Sequence, residues 1–143
     1  ETIMGKVQIL AVLTMDGCLS SELYDKAHQD LCLDRCGLDE IRKKAFYRVT
    51  PDYSISMLHE WRKDCTNIRY LAEATPDTAD YINGLLRMHA VDEIILYTVP
   101  FISGSGRHFF KSALPEQHWT LSSLKSYPNG VCRIIYILDK KAR

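Results

Sequence analysis

The sequence predicts an α/β domain built on one mixed sheet, parallel at its centre and finished by an antiparallel hairpin at its C-terminus. Three observations carry this expectation. Residues 67–106 run as a short β-prone segment, a helical segment and the nearly continuous apolar run DEIILYTV, then enter a glycine-bearing loop. Two strands joined through one helix lie parallel with a right-handed crossover. Residues 6–14 (KVQILAVLT) form a second apolar run suited to a central strand covered on both faces. Pro128-Asn129-Gly130 separates LSSLKSY from VCRIIYIL, and Asn-Gly tolerates the positive φ angles of a tight hairpin. Helices packed on such a sheet make an α/β sandwich.

Each element has its own local signals. After the first strand, Asp16-Gly17 supplies a turn. Ser20 or Ser21 is a plausible N-cap, Leu23, Ala27 and Leu31 fall one helical turn apart, and Gly37 is a natural stop, which predicts a helix over about 22–36. Residues 38–44 suit a short helix and AFYRV before Pro51 has strand character; the pattern leaves open which dominates. Ser54 or Ser56 caps a helix containing Met57, Leu58 and Trp61 that ends near Asp64. A strand follows at Ile68, Tyr70 and Leu71. Thr75 then caps a helix whose first position is Pro76 and whose buried face is Ala79, Ile82, Leu85 and Leu86. Phe109, Phe110 and Leu114 look like core anchors, and residues 118–121 open the hairpin.

With 143 residues the chain has room for one domain, residues 1–143, and too little for two ordinary ones. Eighteen acidic and eighteen basic side chains cancel, so no global field draws nucleic acid or an anionic membrane surface. The five cysteines are an odd, irregularly spaced set, which fits reduced thiols in a cytoplasm better than a secreted disulfide framework. The run 7–13 is short, contains Gln8 and meets Asp16 without a cleavage pattern, so it reads as a strand rather than a signal peptide. No stretch reaches the roughly 20 apolar residues of a membrane span.

The set TMDG at 14–17, VDEIILYTVPFISGSGRHFF at 91–110 and the strand YPNGVCRIIYIL resembles the RibD C-terminal reductases of riboflavin biosynthesis, within the dihydrofolate-reductase-like fold. The likeness is best over residues 67–138, with the first strand as a separate anchor; residues 20–52 match nothing in the family. It implies a three-layer sandwich and an NADPH-dependent reduction of a pyrimidine- or pterin-like heterocycle. By that resemblance Thr14 and Asp16 are the catalytic candidates. Gly17 lies beside the nicotinamide or substrate, and Ala74, Thr75, Asp77 and Thr78 border the cofactor pyrophosphate. The family usually carries an E-G-G or G-G-G turn where this chain has Glu73-Ala74-Thr75, and a Cβ there obstructs close approach of backbone to phosphate. The alternative is therefore a shortened, non-catalytic relative that serves as a ligand-binding or dimerising module. Related reductases are commonly homodimers, and the apolar hairpin residues Val131, Ile134, Ile135, Tyr136, Ile137 and Leu138 predict a two-fold dimer through the C-terminal strands or their neighbours.

Other candidates weigh less. Glu73 repels phosphate and suits bonds to backbone amides. Gly104 and Gly106 have phosphate-loop spacing, but a lone G-x-G is a weak signal. Arg42, Lys43, Lys44 and Arg48 read as a solvated face more readily than a phosphate grip. His28, Cys32 and Cys36 recur every four residues. Eight residues of helix rise about 12 Å, too far for one ion with bonds of about 2 Å, so no metal site is expected. Cys18 has no base placed for it by sequence, which argues against a thiol nucleophile.

Overall fold

A computed structural model describes residues 6–19, 33–64, 68–104, 107–111 and 113–139. The chain runs β1 (Lys6–Leu13), β2 (Cys18–Leu19), a 3-10 turn (Leu33–Cys36), α1 (Leu38–Lys44), β3 (Tyr47–Arg48), α2 (Ile55–Asp64), β4 (Arg69–Glu73), α3 (Ala79–Arg87), β5 (Glu93–Thr98), β6 (Arg107–His108), β7 (Trp119–Ser126) and β8 (Cys132–Leu138). Most of the helix expected over 22–36, with His28 and Cys32, lies outside the described residues, as does Gly106. Gly37 takes the left-handed conformation (φ 85°) and separates the 3-10 turn from α1. The short helix and the β-prone segment after it both form, the latter as two residues only.

The main sheet has the order β3-β4-β1-β5-β8-β7, and β2 pairs with β6 in a separate ribbon. β1 is parallel to β4 on one side and β5 on the other, while β5–β8 and β8–β7 are antiparallel. This is the expected mixed sheet, parallel in the middle and closed by a hairpin. β1 is buried along its length after Lys6, as a strand flanked by two others and covered on both faces should be. Side-chain alternation divides its residues between two cores. Val7, Ile9 and Ala11 pack with Tyr70, Ala72, Leu58, Ile82 and Leu85 beneath α2 and α3. Leu10 and Val12 pack with Leu71, Ile95 and Tyr97 beneath α1 and the 3-10 turn. Helices thus cover both faces and make three layers.

Three local expectations change. α3 begins at Ala79, not Pro76, and its N-cap is Thr78 rather than Thr75, because a separate turn precedes it. Of the aromatic anchors, Phe109 is fully buried and Phe110 is exposed. In the hairpin, Val131 and Leu138 are buried, whereas Leu121 and Leu124 of β7 are the most exposed apolar side chains. The turn itself is as expected: Gly130 has φ 90°, Tyr127 N–H donates to the Val131 carbonyl at 2.9 Å, and Val131 N–H donates to Asn129 Oδ1 at 3.2 Å. Ser54 caps α2 through a bond from Met57 N–H at 3.1 Å.

Candidate functional site

β1 ends by turning sharply beside β5. Val99 N–H donates to the Leu13 carbonyl, which keeps the two strand ends together. Thr14, almost wholly buried, accepts from Cys18 N–H at 3.0 Å through Oγ1 and donates its hydroxyl proton to Asp16 Oδ1. Gly17 closes the turn with φ 77°, a conformation that a residue with a Cβ adopts only with strain, and its N–H donates to the Thr14 carbonyl at 3.0 Å.

The second loop, after β5, is tied to the first. Met15 N–H donates to the Phe101 carbonyl at 2.7 Å. Ser103 N–H donates to Asp16 Oδ1 at 3.1 Å and Gly104 N–H to Oδ2 at 3.0 Å. The Thr14 hydroxyl, then the amides of Gly104 and Ser103, hold the Asp16 carboxyl well below the usual carboxylate range. A carboxylate bonded in this way stays ionised at neutral pH, whereas a general acid or base works best with a pKa near the operating pH. The arrangement suits Asp16 to positioning rather than to proton transfer. Thr14, Asp16 and Gly17 are together, and Met15 between them projects into solvent, 67 % exposed.

Beside this turn the β2–β6 ribbon sets Cys18 opposite His108, with Sγ 3.9 Å from Nδ1. Sequence offered no base for Cys18 because 90 residues separate the pair; a two-residue ladder joins them. The thiol is buried and also donates to the Asp16 carbonyl at 3.8 Å.

The other half of the expected site lies at the end of β4. Ala74 N–H donates to the Leu10 carbonyl at 2.7 Å, and Glu73 is in register with Leu10. β1 therefore runs beyond β4, and Thr14 lies four residues past that register, about 13 Å along the strand direction. The Glu73 carboxylate pairs with Arg42 of α1 and, at 3.8 Å, with Arg48 of β3.

Between Glu73 and α3 the chain satisfies itself. Thr75 N–H donates to Thr78 Oγ1 at 2.8 Å, and Thr78 N–H donates to Thr75 Oγ1 at 3.2 Å. The Thr78 hydroxyl donates to the Glu73 carbonyl at 2.9 Å. This reciprocal lock explains why the helix starts late. It also bears on the expected cofactor. Of the amides at 75–78, those of Thr75 and Thr78 are spent within the turn, Pro76 has none, and only that of Asp77 remains, next to its own carboxylate. A diphosphate needs several converging N–H donors and a positive end of a helix. Closed in this way, the turn 74–78 itself offers such a group the amide of Asp77 alone.

One tie that the sequence did not suggest runs through Asn83, fully buried on α3. Its Nδ2 donates to the carbonyls of Ala79 (2.8 Å) and Phe109 (2.7 Å), and its Oδ1 accepts from Lys111 N–H at 3.0 Å. The segment after β6 is thereby fastened to the helix. Among the described residues no group of three or more His, Cys, Asp or Glu side chains is placed to hold a metal ion, and no helix is long and apolar enough to cross a membrane.

No family model matches the sequence, and no curated protein matches it. Solved structures do. A protein from Shewanella sp. PV-4 named for riboflavin biosynthesis aligns with a TM-score of 0.62 at 11% identity, over 94% of this chain and 99% of that one. Acinetobacter baumannii RibD aligns with a TM-score of 0.59 at 12% identity, over 96% of this chain, which spans 59% of that longer one. Dihydrofolate reductase from Enterococcus faecalis, in complex with NADP(H), aligns with a TM-score of 0.56 at 10% identity, over 94% of this chain and 97% of that one. At such identities the likeness shows the fold: the chain has the dihydrofolate-reductase-like architecture of these proteins.

Proposed function

We propose that this chain is a reductase of the riboflavin-biosynthesis or dihydrofolate type, which takes a pyrimidine- or pterin-like heterocycle at the carboxyl ends of β1 and β5 and uses NADPH as reductant. The observation that supports this most directly is the tie between the two loops there. Asp16 clamps residues 14–17 to residues 101–104, at the end of a parallel sheet where ligands of α/β folds collect. The fold is that of an NADP(H)-complexed dihydrofolate reductase. In this reading Thr14 and Asp16 shape the floor of the site, and Gly17 lets the backbone pass close to the ligand.

A second reading rests on the lock between Thr75 and Thr78. A relative that has closed its diphosphate turn keeps the fold as a heterocycle-binding or dimerising module without hydride transfer. NADPH titration followed by fluorescence, with NADPH consumption followed by absorbance against aminopyrimidines and dihydropterins, separates the two. Saturable NADPH binding with turnover of one substrate supports the reductase. Heterocycle binding with no NADPH binding at millimolar concentration overturns it and leaves the module. In either case we place the protein in the cytoplasm as a homodimer, with no nucleic-acid or membrane partner.

A further inference from the structure

We propose that the cavity between α1 and the sheet binds a small zwitterion of net charge −1, in chemical class an acidic amino acid. The cavity has a volume of about 200 Å³. At about 30 Å³ per water in the liquid, that is room for a ligand of amino-acid size. Gln8, Arg69, Glu93 and Arg133 line it from β1, β4, β5 and β8, and Glu40 and Lys44, one turn apart on α1, form its rim.

Strand alternation explains why these side chains meet. Gln8 shares its sheet face with Leu10 and Val12 and is in register with Glu93, and Arg69 shares that face with Leu71. Apolar residues at these positions would continue the core beneath α1. Polar ones keep a void open instead. Gln8 is only 5% exposed, and Nε of Arg133 is buried with no hydrogen-bond partner. The side chains of Gln8, Arg69 and Glu93 make no hydrogen bond or ion pair among the described residues. Buried polar groups are ordinarily paired. Here the nearly buried Gln8 side chain and Arg133 Nε lack a partner, and half-exposed Arg69 and Glu93 add a charge of each sign to the same void, which points to a ligand that pairs them. Gly37 contributes by its missing side chain, since a Cβ there would come within 3.0 Å of Arg133 Nη1.

The charge balance selects the class. Lys44, Arg69 and Arg133 against Glu40 and Glu93 leave one positive charge in excess. The complementary ligand carries two carboxylates for the cations and one ammonium for the acids. The cavity opens beneath α1 and not at the loops joined by Asp16, so the inference is independent of the reductase reading.

L-Aspartate is a suitable probe, followed by ¹⁵N NMR of the whole chain, with succinate and 1,4-diaminobutane as comparisons. Saturable shifts of the Gln8 side-chain amide and the Gly37 backbone amide are expected with L-aspartate at a Kd of about a millimolar or below. Succinate lacks the ammonium and should bind about tenfold more weakly, a difference of about 1.4 kcal/mol; the diamine should not bind. Glu93→Gln should bring L-aspartate down to the succinate level. Lys44→Ala, at an exposed position where folding is not at risk, should weaken both. No saturable shift at about ten times a millimolar Kd, equal binding of succinate, or unchanged binding in Lys44→Ala would each overturn the proposal.

Discussion

The bonds that fix Asp16, at the carboxyl end of a strand, cannot be read from its neighbours in sequence alone. Its bonds come from Thr14, two residues away, and from Ser103 and Gly104, almost ninety residues on. Because the folded carboxyl is held below its ordinary value of 3.8, its contribution to stability is fully present above that value and is lost as pH falls below it. Hydrogen exchange at Ser103 and Gly104, corrected for intrinsic rates, should thus be insensitive to pH across the neutral range and lose protection only in strong acid. Asp16→Asn should remove the protection of one of the two amides at neutral pH, since an amide offers one acceptor oxygen where the carboxylate offers two; unchanged exchange at both would show that the tie is unimportant. Asn83 is the converse case, a residue with no signal in the sequence that fastens two segments. Asn83→Ala leaves the buried Phe109 carbonyl without its partner and should cost about 1–3 kcal/mol in denaturant unfolding. Asn83→Asp should cost as much or more, because a carboxylate cannot donate to the two carbonyls.

At the scale of elements, strands and hairpin were legible where pattern and turn chemistry agreed. β1, β4, β5 and the Asn129-Gly130 hairpin stand within a residue or two of where periodicity and φ-permissive residues put them, because a strand covered on both faces leaves a long apolar run that little else produces. The start of α3 was not legible. Thr-Pro is a strong helix-start signal, yet Thr75 and Thr78 bond each other's amides, and side chain competed with helix for the same N–H groups. The Asp16 clamp and the Cys18–His108 contact were invisible for a different reason: they join positions distant in sequence. The turn carries a prediction. Ala74→Gly with Thr75→Gly removes the Thr75 hydroxyl, leaving the Thr78 amide on the residue-75 carbonyl alone at 3.1 Å, and clears the Cβ atoms that obstruct close approach of phosphate. NADPH affinity should rise by about tenfold, about 1.4 kcal/mol. Asp77→Asn should add to it by removing a negative charge. If fluorescence titration finds the double variant no tighter than the parent, the turn is not where a dinucleotide is held.

At the scale of the whole molecule, the helices among the described residues do not cover the entire sheet. α2 and α3 sit over β4, β1 and part of β5, and beyond them the same face continues across β8 and β7. There Ile94, Leu96, Phe110, Trp119 and Tyr136 line an apolar depression, and Leu121 (52% exposed) and Leu124 (63% exposed) extend it along β7. Register puts Leu121 opposite Tyr136 and Leu124 opposite Ile134, so these side chains share one face. Within the hairpin β8 has the longer apolar run, while β7 is the outer strand and bears more of the exposure. We expect a second copy to pack on this face, where a stable two-fold interface takes about 800 Å² from each partner. Light scattering at micromolar concentration should give twice the mass of one chain. Leu121→Lys combined with Leu124→Glu places two charges on the face without touching the buried side of the sheet, and should yield a monomer whose thermal unfolding remains cooperative. A parent protein that is monomeric under those conditions would mean that the face is covered by something other than its own copy.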